Sequence, residues 1–216
     1  VANLTTEQIN HLATDDLQAL STAQVRAMTT ASIAALSTAS IEALTSAQVL
    51  ALSTAQVRGL ATASLDALQT ADLVQMSVAQ VAAFSGDQLN AMSAGQLAAM
   101  TTRQVSSLSV GQINAMGASD LASFTTTQFA AMTSAQIGAI NATQAASFEV
   151  ADLAALSTAQ VRALATAAIA ALSTDALQGL TTAQFAALTT AQVRAFDLAD
   201  IDKIETRDLV VMTTQQ

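Results

Sequence analysis

The chain has 216 residues, contains no Pro, Cys, Trp or Tyr, and has a single His. The lack of Cys excludes disulfide frameworks and thiolate metal sites, and a formal net charge of -9 at pH 7 disfavours binding to nucleic acids or to anionic membranes. Apolar residues make up 52% of the chain but occur in short runs, far below the roughly 18 residues of a membrane span, so we expect no membrane insertion.

Large apolar residues recur every eight positions from Leu4 to Met212 without an insertion or deletion, and we call this set the leucine column. A second series, the valine column, follows five residues after each of these, from Ile9 to Leu209. All seven Met and all six Phe fall in these two columns. Such a period indicates a repeat architecture, and we expect both columns to form its core.

The residues between the columns predict a helix start in every repeat. In the segment LSTAQV, Ser157 is followed three residues later by Gln160, which is a capping box, and Leu156 and Val161 flank it as a hydrophobic staple. Most repeats have Ser or Thr at the first position, the cap column, and Gln or Asp at the second, the box column, which runs from Gln8 to Gln216. A helix that restarts every eight residues must also stop. We therefore expect about six helical residues per repeat and a corner of one or two.

One continuous helix does not fit the pattern. At about 100° per residue, steps of five and eight residues rotate the two columns around the cylinder, so no apolar stripe forms. A six-residue helix is well below the roughly 12 to 15 residues that are marginally stable alone in water. We therefore predict an all-α solenoid or superhelix of about 26 very short helices, one per eight-residue repeat, in which each repeat depends on its neighbours. Extended corners without Gly favour three or four helices per coil over two.

Each short helix should present three faces. In the repeat around Val161, that residue and Leu164 point to the core, Ala159 and Ala163 form a close-contact face, and Thr158 and Arg162 point to solvent. Ala163 belongs to a small column, one residue before each leucine-column residue, where Ala and Gly predominate and allow neighbouring backbones to approach. A β-solenoid with octapeptide rungs and a disordered low-complexity tract are the alternatives. The Ala and Gln content and the capping boxes argue against the first, and the constant register argues against the second.

The repeats predict a single continuous array over residues 1–216. Because residues 1–3 fit the end of a preceding repeat, we expect a segment of a longer array. Residues 197–216 are more charged than the rest, as expected for the polar terminal cap that a solenoid needs.

The chain offers little for catalysis or for cofactor binding. His11 lies in the small column without a candidate partner, and the many Ser and Thr residues fall in cap positions without a base. We therefore expect no enzyme activity, no catalytic residues and no cofactor. The best metal candidate is a group of three carboxylates, Asp197, Asp200 and Asp202. Capping accounts for the first two, so we predict no metal site, and calcium binding by this acidic cluster is left open.

The column that follows the valine column varies most and carries Arg26, Arg58, Arg162 and Arg194. We call it the variable column. Free variation is typical of a solvent-exposed position, and a partner-binding surface would use the same positions.

The unit L-S/T-T-A-Q-V/I-x-A, at residues 20–27, 52–59, 156–163 and 188–195, resembles the tandem Ala/Thr/Gln-rich octapeptide repeats of large secreted or surface proteins of Gram-negative bacteria. In some of those proteins the repeats stand beside calcium-binding haemolysin-type or adhesin modules. The resemblance covers the whole chain and brings no catalytic residues. It implies an extracellular or cell-surface location and a role as spacer, stalk or filament.

Three functions follow as hypotheses. The first is a structural array, roughly 60 to 130 Å long if coils are spaced about 8 to 10 Å apart, whose partner is itself through adjacent repeats and end-to-end or lateral assembly. The second is an adhesin that presents the variable column to a protein or glycan. The third is an ice-binding surface built from threonine rows such as Thr22, Thr54 and Thr62.

Overall fold

The computed structural model describes Val1 and residues 4–216. Ala2 and Asn3, assigned above to the end of a preceding repeat, lie outside the described residues, as does the side chain of Ala199. The described residues form twenty-five α-helices and one 3-10 helix. In chain order these are α1 Thr6–Asn10, α2 Thr14–Ala19, α3 Thr22–Arg26, α4 Thr30–Ala34, α5 Thr38–Ala43, α6 Ser46–Ala51, α7 Thr54–Gly59, the 3-10 helix Thr62–Ser64, α8 Thr70–Gln75, α9 Val78–Val81, α10 Gly86–Asn90, α11 Ala94–Ala99, α12 Thr102–Ser107, α13 Val110–Ala115, α14 Ala118–Leu121, α15 Thr126–Ala131, α16 Ser134–Gly138, α17 Ala142–Ala145, α18 Val150–Ala155, α19 Thr158–Ala163, α20 Thr166–Ile169, α21 Thr174–Gln178, α22 Thr182–Ala187, α23 Thr190–Val193, α24 Leu198–Ile201 and α25 Thr206–Leu209.

The predicted solenoid of very short helices, one per octapeptide, is confirmed. The described residues contain no β-strand, so the β-solenoid alternative is wrong. Corners consist of two extended residues, as at Leu156 (φ -67, ψ 142) and Ser157 (φ -67, ψ 158). No described residue has a positive φ, so the chain turns its corners without the conformational freedom of glycine.

Within each of the two halves of the chain, helices pack on the helix three places later. In the first half of the chain α3 contacts α6 and α4 contacts α7, and in the second half α15 contacts α18 and α16 contacts α19. A coil therefore contains three helices, in agreement with the expected three or four. Helices that stack in this way form a row, and the first rows are α1, α4 and α7; α2, α5 and the 3-10 helix; and α3, α6 and α8.

The chain divides into two compact units, Val1–Ser107 and Leu108–Gln216. The boundary falls at a corner, since α12 ends at Ser107 and Leu108 belongs to the leucine column. Both units have the same internal construction. The valine and leucine columns are buried between stacked coils, except at positions in the first and last coils such as Leu12, which is half-buried, and Leu209, which is exposed. Both columns are therefore core, as predicted.

The small column lies close to the neighbouring stacked helix. A Cβ added at Gly59 would lie 3.2 Å from the carbonyl oxygen of Thr30, one coil earlier, and one added at Gly179 would overlap Cγ1 of Val150. Close approach of neighbouring backbones in this column is thus confirmed.

The prediction of three faces on each helix is only partly correct. Val161 and Leu164 are buried and Thr158 and Arg162 are exposed, as predicted. Ala159, however, is exposed, and the residue that contacts the neighbouring coil is Gln160, which is buried. The prediction treated this glutamine as a capping residue alone, and a capping residue has no need to be buried.

One repeat, residues 61–68, forms the 3-10 helix in place of an α-helix. Its cap column holds Ala61 and its box column Ser64, and no side chain accepts a hydrogen bond from the first turn. The uncapped first turn is consistent with the shorter helix. A cleft of about 470 Å³, lined in part by the exposed carboxylates Glu42 and Asp66, lies beside this repeat.

Candidate functional site

The box column is the chemically distinctive feature of the structure. Among the described residues, every polar or charged side chain that is buried falls in this column, from Ser32 to Asp208 at multiples of eight. These side chains lie between successive coils. A buried polar group must find a hydrogen-bond partner, so the partners of this column decide what holds the coils together.

Each box glutamine first completes the capping box of its own helix. At α19, the main-chain N–H of Ser157 donates to Oε1 of Gln160 at 2.7 Å, and the N–H of Gln160 donates to the Ser157 hydroxyl at 3.2 Å. The same reciprocal pair forms in the repeats that carry Asn141 and Asp197 at the cap position. The predicted capping boxes are therefore confirmed, and they use the carbonyl end of the glutamine amide.

The nitrogen end of the same amide donates to the preceding coil. Nε2 of Gln160 lies 2.7 Å from the carbonyl oxygen of Met132 and 3.3 Å from that of Phe129. The acceptors stand 28 and 31 residues earlier, in the leucine and valine columns. We call the glutamines that show this contact the glutamine ladder. They include Gln48, Gln56, Gln80, Gln88, Gln96 and Gln104 in the first unit, and Gln136, Gln144, Gln160, Gln184, Gln192 and Gln216 in the second.

The acceptors are carbonyl groups at the end of a helix and in the corner that follows it, and the one in the valine column also accepts from the N–H three residues later, as Val25 does from Met28 at 3.1 Å. For Gln56 they belong to Val25 at the end of α3 and to Met28 in the corner, at 2.9 and 3.0 Å. One amide thus accepts from a main-chain N–H at the start of its own helix and donates to carbonyl groups at the end of a helix in the preceding coil. Glutamate can accept in a capping box but cannot donate, so only glutamine fills both roles.

This second role was missed by the sequence analysis. The box column holds Asp as well as Gln, at Asp72 and Asp152 for example, and a carboxylate has no amide hydrogen to donate. The composition of the column therefore gave no signal of the second contact.

Two aspartates in the box column, Asp152 and Asp200, make a different contact. The hydroxyl of Thr126 donates to Oδ1 of Asp152 at 2.8 Å, and the hydroxyl of Thr174 donates to Oδ1 of Asp200 at 3.2 Å, both across one coil. Burial raises the pKa of Asp152 above the usual 3.8, the Thr126 hydrogen bond opposes the rise, and the negative charge of Glu149 adds to it. A carboxylate has no hydrogen to offer the carbonyl groups of the preceding coil, and these two accept from a hydroxyl instead, whereas the buried Oδ1 atoms of Asp72 and Asp208 have no hydrogen-bond partner among the described residues.

The three carboxylates of the candidate calcium cluster, Asp197, Asp200 and Asp202, have different structural surroundings. Oδ1 of Asp197 accepts from the N–H of Asp200 at 2.8 Å and caps α24, whereas Asp200 is buried. Asp202 is exposed beside Lys203 at 3.8 Å. No three His, Cys, Asp or Glu side chains are placed to hold a metal ion within the described residues. His11 is exposed at the end of α1, in the small column as the spacing predicts.

In neither unit do the arginines of the variable column lie on one row of helices. In the first unit, Arg26 lies on α3 and Arg58 on α7, and these helices belong to different rows. Nε of Arg58 donates to the carbonyl oxygen of Ala83 at 3.4 Å, so part of this side chain serves the fold. In the second unit, Arg162 on α19 and Arg194 after α23 also belong to different rows.

The threonines Thr22, Thr54 and Thr62 also lie on three different rows of the first unit, at the starts of α3, α7 and the 3-10 helix. They therefore do not form one flat array. No helix within the described residues is long or apolar enough to cross a membrane.

Comparison with known families agrees with this construction. A family model described as the ALTTAQ repeat matches residues 9–46, 32–62, 65–102, 113–150, 145–182 and 169–198, which together make up most of the chain. The chain belongs to the ALTTAQ repeat family. No curated protein matches it.

The letters of the ALTTAQ unit correspond to the contacts described above. At residues 187–192, Leu188 forms the corner, Thr189 caps α23, and Gln192 completes the box. Nε2 of Gln192 then donates to the carbonyl oxygens of Val161 and Leu164, both at 2.8 Å. In this chain the Gln of an ALTTAQ repeat is thus the residue that joins one coil to the coil before it.

Proposed function

We propose that this chain is a structural, non-catalytic array that acts as an extracellular spacer or stalk and holds other parts of a protein apart. The observation that carries the proposal is the glutamine ladder. The buried amides that form it donate hydrogen bonds to the backbone of the chain itself. The same contact recurs from coil to coil in each unit. Under the proposal, the number of repeats sets the separation of the two ends.

The extracellular setting is supported by the likeness to repeats of large secreted and surface proteins. A structural role is further supported by the scattered arginines of the variable column, which give no continuous face for a ligand in either unit.

Small-angle X-ray scattering on chains of different repeat number tests the spacer role. Removal of residues 157–180 deletes three repeats, which is one coil, and joins Leu156 to Thr181 with the eight-residue register kept. We expect the maximum dimension to fall by about 8 to 10 Å, the spacing of packed helices. A maximum dimension that stays constant would contradict the spacer role.

A matched control removes 12 residues, 157–168, and so shifts the register by half a repeat. This variant should lose helical circular dichroism because the columns no longer meet, whereas the 24-residue deletion should keep it. The extracellular location is tested separately, by protease treatment of intact cells that produce the protein: surface exposure predicts cleavage, and full protection contradicts it.

A further inference from the structure

The helix ends of the second and third coils are bound unequally by the residues that follow them. The second coil consists of α4, α5 and α6, and the third coil of α7, the 3-10 helix and α8. In the third coil the carbonyl groups at all three helix ends accept from ladder glutamines, which are Gln88, Gln96 and Gln104. In the second coil only the end of α6 does so, from Gln80. By the same spacing, the ends of α4 and α5 correspond to Ser64 and Asp72, which have no amide to donate.

These two box residues replace the ladder contact poorly. The hydroxyl of Ser64 donates to the carbonyl oxygen of Leu36 at 3.4 Å, which is long for such a bond. Asp72 is 2% exposed, and its Oδ1 has no hydrogen-bond partner among the described residues. A buried carboxylate oxygen without a donor destabilises the contact in which it lies. A further bond, from Nε2 of Gln69 to the carbonyl oxygen of Glu42 at 3.2 Å, is exposed to solvent, so it adds little.

The helices that carry these two residues also begin without a side-chain cap. Neither Ala61, before the 3-10 helix, nor Gln69, before α8, accepts a hydrogen bond from the first turn. In the second coil, by contrast, Thr29, Ser37 and Thr45 cap all three helices. The 3-10 helix and α8 therefore lack both the cap of their own start and the amide bond to the preceding coil.

A cleft lies along the same contact. Its volume is about 470 Å³, and its lining includes Glu42 on α5, Asp66 after the 3-10 helix and Thr70 on α8. The two carboxylates are exposed and belong to different coils, and their like charges repel each other. Incomplete packing and charge repulsion thus both favour separation of the two coils at this place.

We propose that the array has a hinge at this contact, where the 3-10 helix and α8 separate from α5 and α6 and stay attached to the helices that follow them. Gln96 and Gln104 hold the 3-10 helix and α8 on that side. The pivot is the row of α4, α7 and α9, because the box residues of α7 and α9, Gln56 and Gln80, keep their bonds to the preceding helix ends. The proposal rests on the spacer role and adds to it the place at which the spacer bends.

Ile41 on α5 is a buried position that the opening would uncover. The valine column of the first coil is at most 1% exposed although no described coil precedes it, so the following coil covers this column. Ile41 is 3% exposed and stands 31 residues before Asp72. The matched control is Ile113 on α13, which is 0% exposed and whose carbonyl oxygen accepts from Nε2 of Gln144, also 31 residues later, at 2.8 Å. The chain contains no Cys, so a thiol introduced at either position reacts alone.

Thiol labelling of the variants Ile41→Cys and Ile113→Cys measures the opening. A buried thiol reacts with an aromatic disulfide reagent only when its surroundings open. We expect Ile41→Cys to be labelled at least about tenfold faster than Ile113→Cys. Its rate should change little with urea below the unfolding midpoint, because local opening exposes far less surface than unfolding. Equal rates with the same steep urea dependence would show that both thiols react through global unfolding, and would overturn the hinge.

Two substitutions of equal length at Asp72 test the missing amide. Asp72→Gln supplies a donor for the carbonyl oxygens of residues 41 and 44, so in the Ile41→Cys chain it should slow labelling about tenfold. Asp72→Glu supplies no amide hydrogen and should not slow it. Neither change should alter the labelling of Ile113→Cys. Equal rates for the two Asp72 variants would show that the absent amide does not control the opening.

Hydrogen exchange of the unmodified chain is a second measurement, which needs no substitution in the core. We expect the amides of the 3-10 helix and α8 to exchange faster than those of α10 and α11, and equal or slower exchange would contradict the hinge. The coil-deletion experiment is independent of both measurements. A failure of the hinge leaves the spacer role standing, and a constant maximum dimension would reject the spacer role without changing the labelling rates.

Discussion

The heptapeptide LSTAQVR occurs at residues 20–26 and again at 52–58, yet its glutamine has different surroundings in the two places. Gln24, on α3 in the first coil, is exposed, whereas Gln56, four helices later on α7, is 2% exposed and donates to Val25 and Met28. Both form the same capping box. The comparison shows that the motif specifies the helix start locally, while the coil 28 to 31 residues earlier determines what the glutamine contributes to stability.

The largest difference between the two sites should follow from Gln→Glu. At Gln56 the variant keeps the capping box but buries a carboxylate against carbonyl oxygens, so we expect the free energy of unfolding to fall by about 3 to 5 kcal/mol. At Gln24 the same change should cost less than about 0.5 kcal/mol because that side chain is solvated. Urea denaturation followed by circular dichroism measures both. Equal losses at the two sites would break the comparison.

In the valine column, the larger loss of stability should occur in the first coil and the smaller loss in the last coil. Leu17 in the first coil is buried, whereas Leu209 in the last coil is half exposed. Leu17→Ala should cost about 2 to 4 kcal/mol through the lost apolar contact and the cavity left behind, and Leu209→Ala less than about 1 kcal/mol. Hydrogen exchange of the amides of α2 and α25 reports each loss locally. A greater loss at Leu209 would show that the following coil does not cover the valine column.

The loss of a cap side chain should lower the free energy of unfolding by the same amount in every coil, because its hydrogen bond lies within one repeat. Ser21→Ala and Ser157→Ala each remove the acceptor for the third N–H of the helix and should each cost about 1 kcal/mol. Thermal unfolding of the two variants measures this. Unequal costs would mean that the cap, like the box, depends on the neighbouring coil.

The smallest expected effect on stability comes from Asp152, and this effect depends on pH. Because burial raises its pKa in the folded state above 3.8, the folded chain binds the proton more tightly than the unfolded chain. Stability should therefore rise as the pH falls from above the raised pKa towards 3.8. Asp152→Asn should stabilise the fold at neutral pH and flatten this dependence, as urea midpoints at several pH values will show. A parent chain whose stability falls over that window would contradict the assignment.

Much of this architecture could be predicted from local sequence. The capping box of Ser157 and Gln160 and the two apolar columns specify short helices in a fixed register, and both are present in the structure. The second partner of the glutamine amide could not be predicted, because the acceptor lies 28 to 31 residues away and its position depends on the number of helices per coil. For the same reason the capping interpretation of Asp200 was correct but did not predict its burial or its contact with Thr174.

The most direct test of the glutamine ladder is hydrogen exchange of the side-chain amides by NMR, with Gln24 and Gln56 compared in the same sample. The structure predicts slow exchange for the Nε2 hydrogens of Gln56, which are bound to Val25 and Met28, and exchange at the rate of a free amide for Gln24. Equally fast exchange at both residues would show that the coils are not joined by these amides.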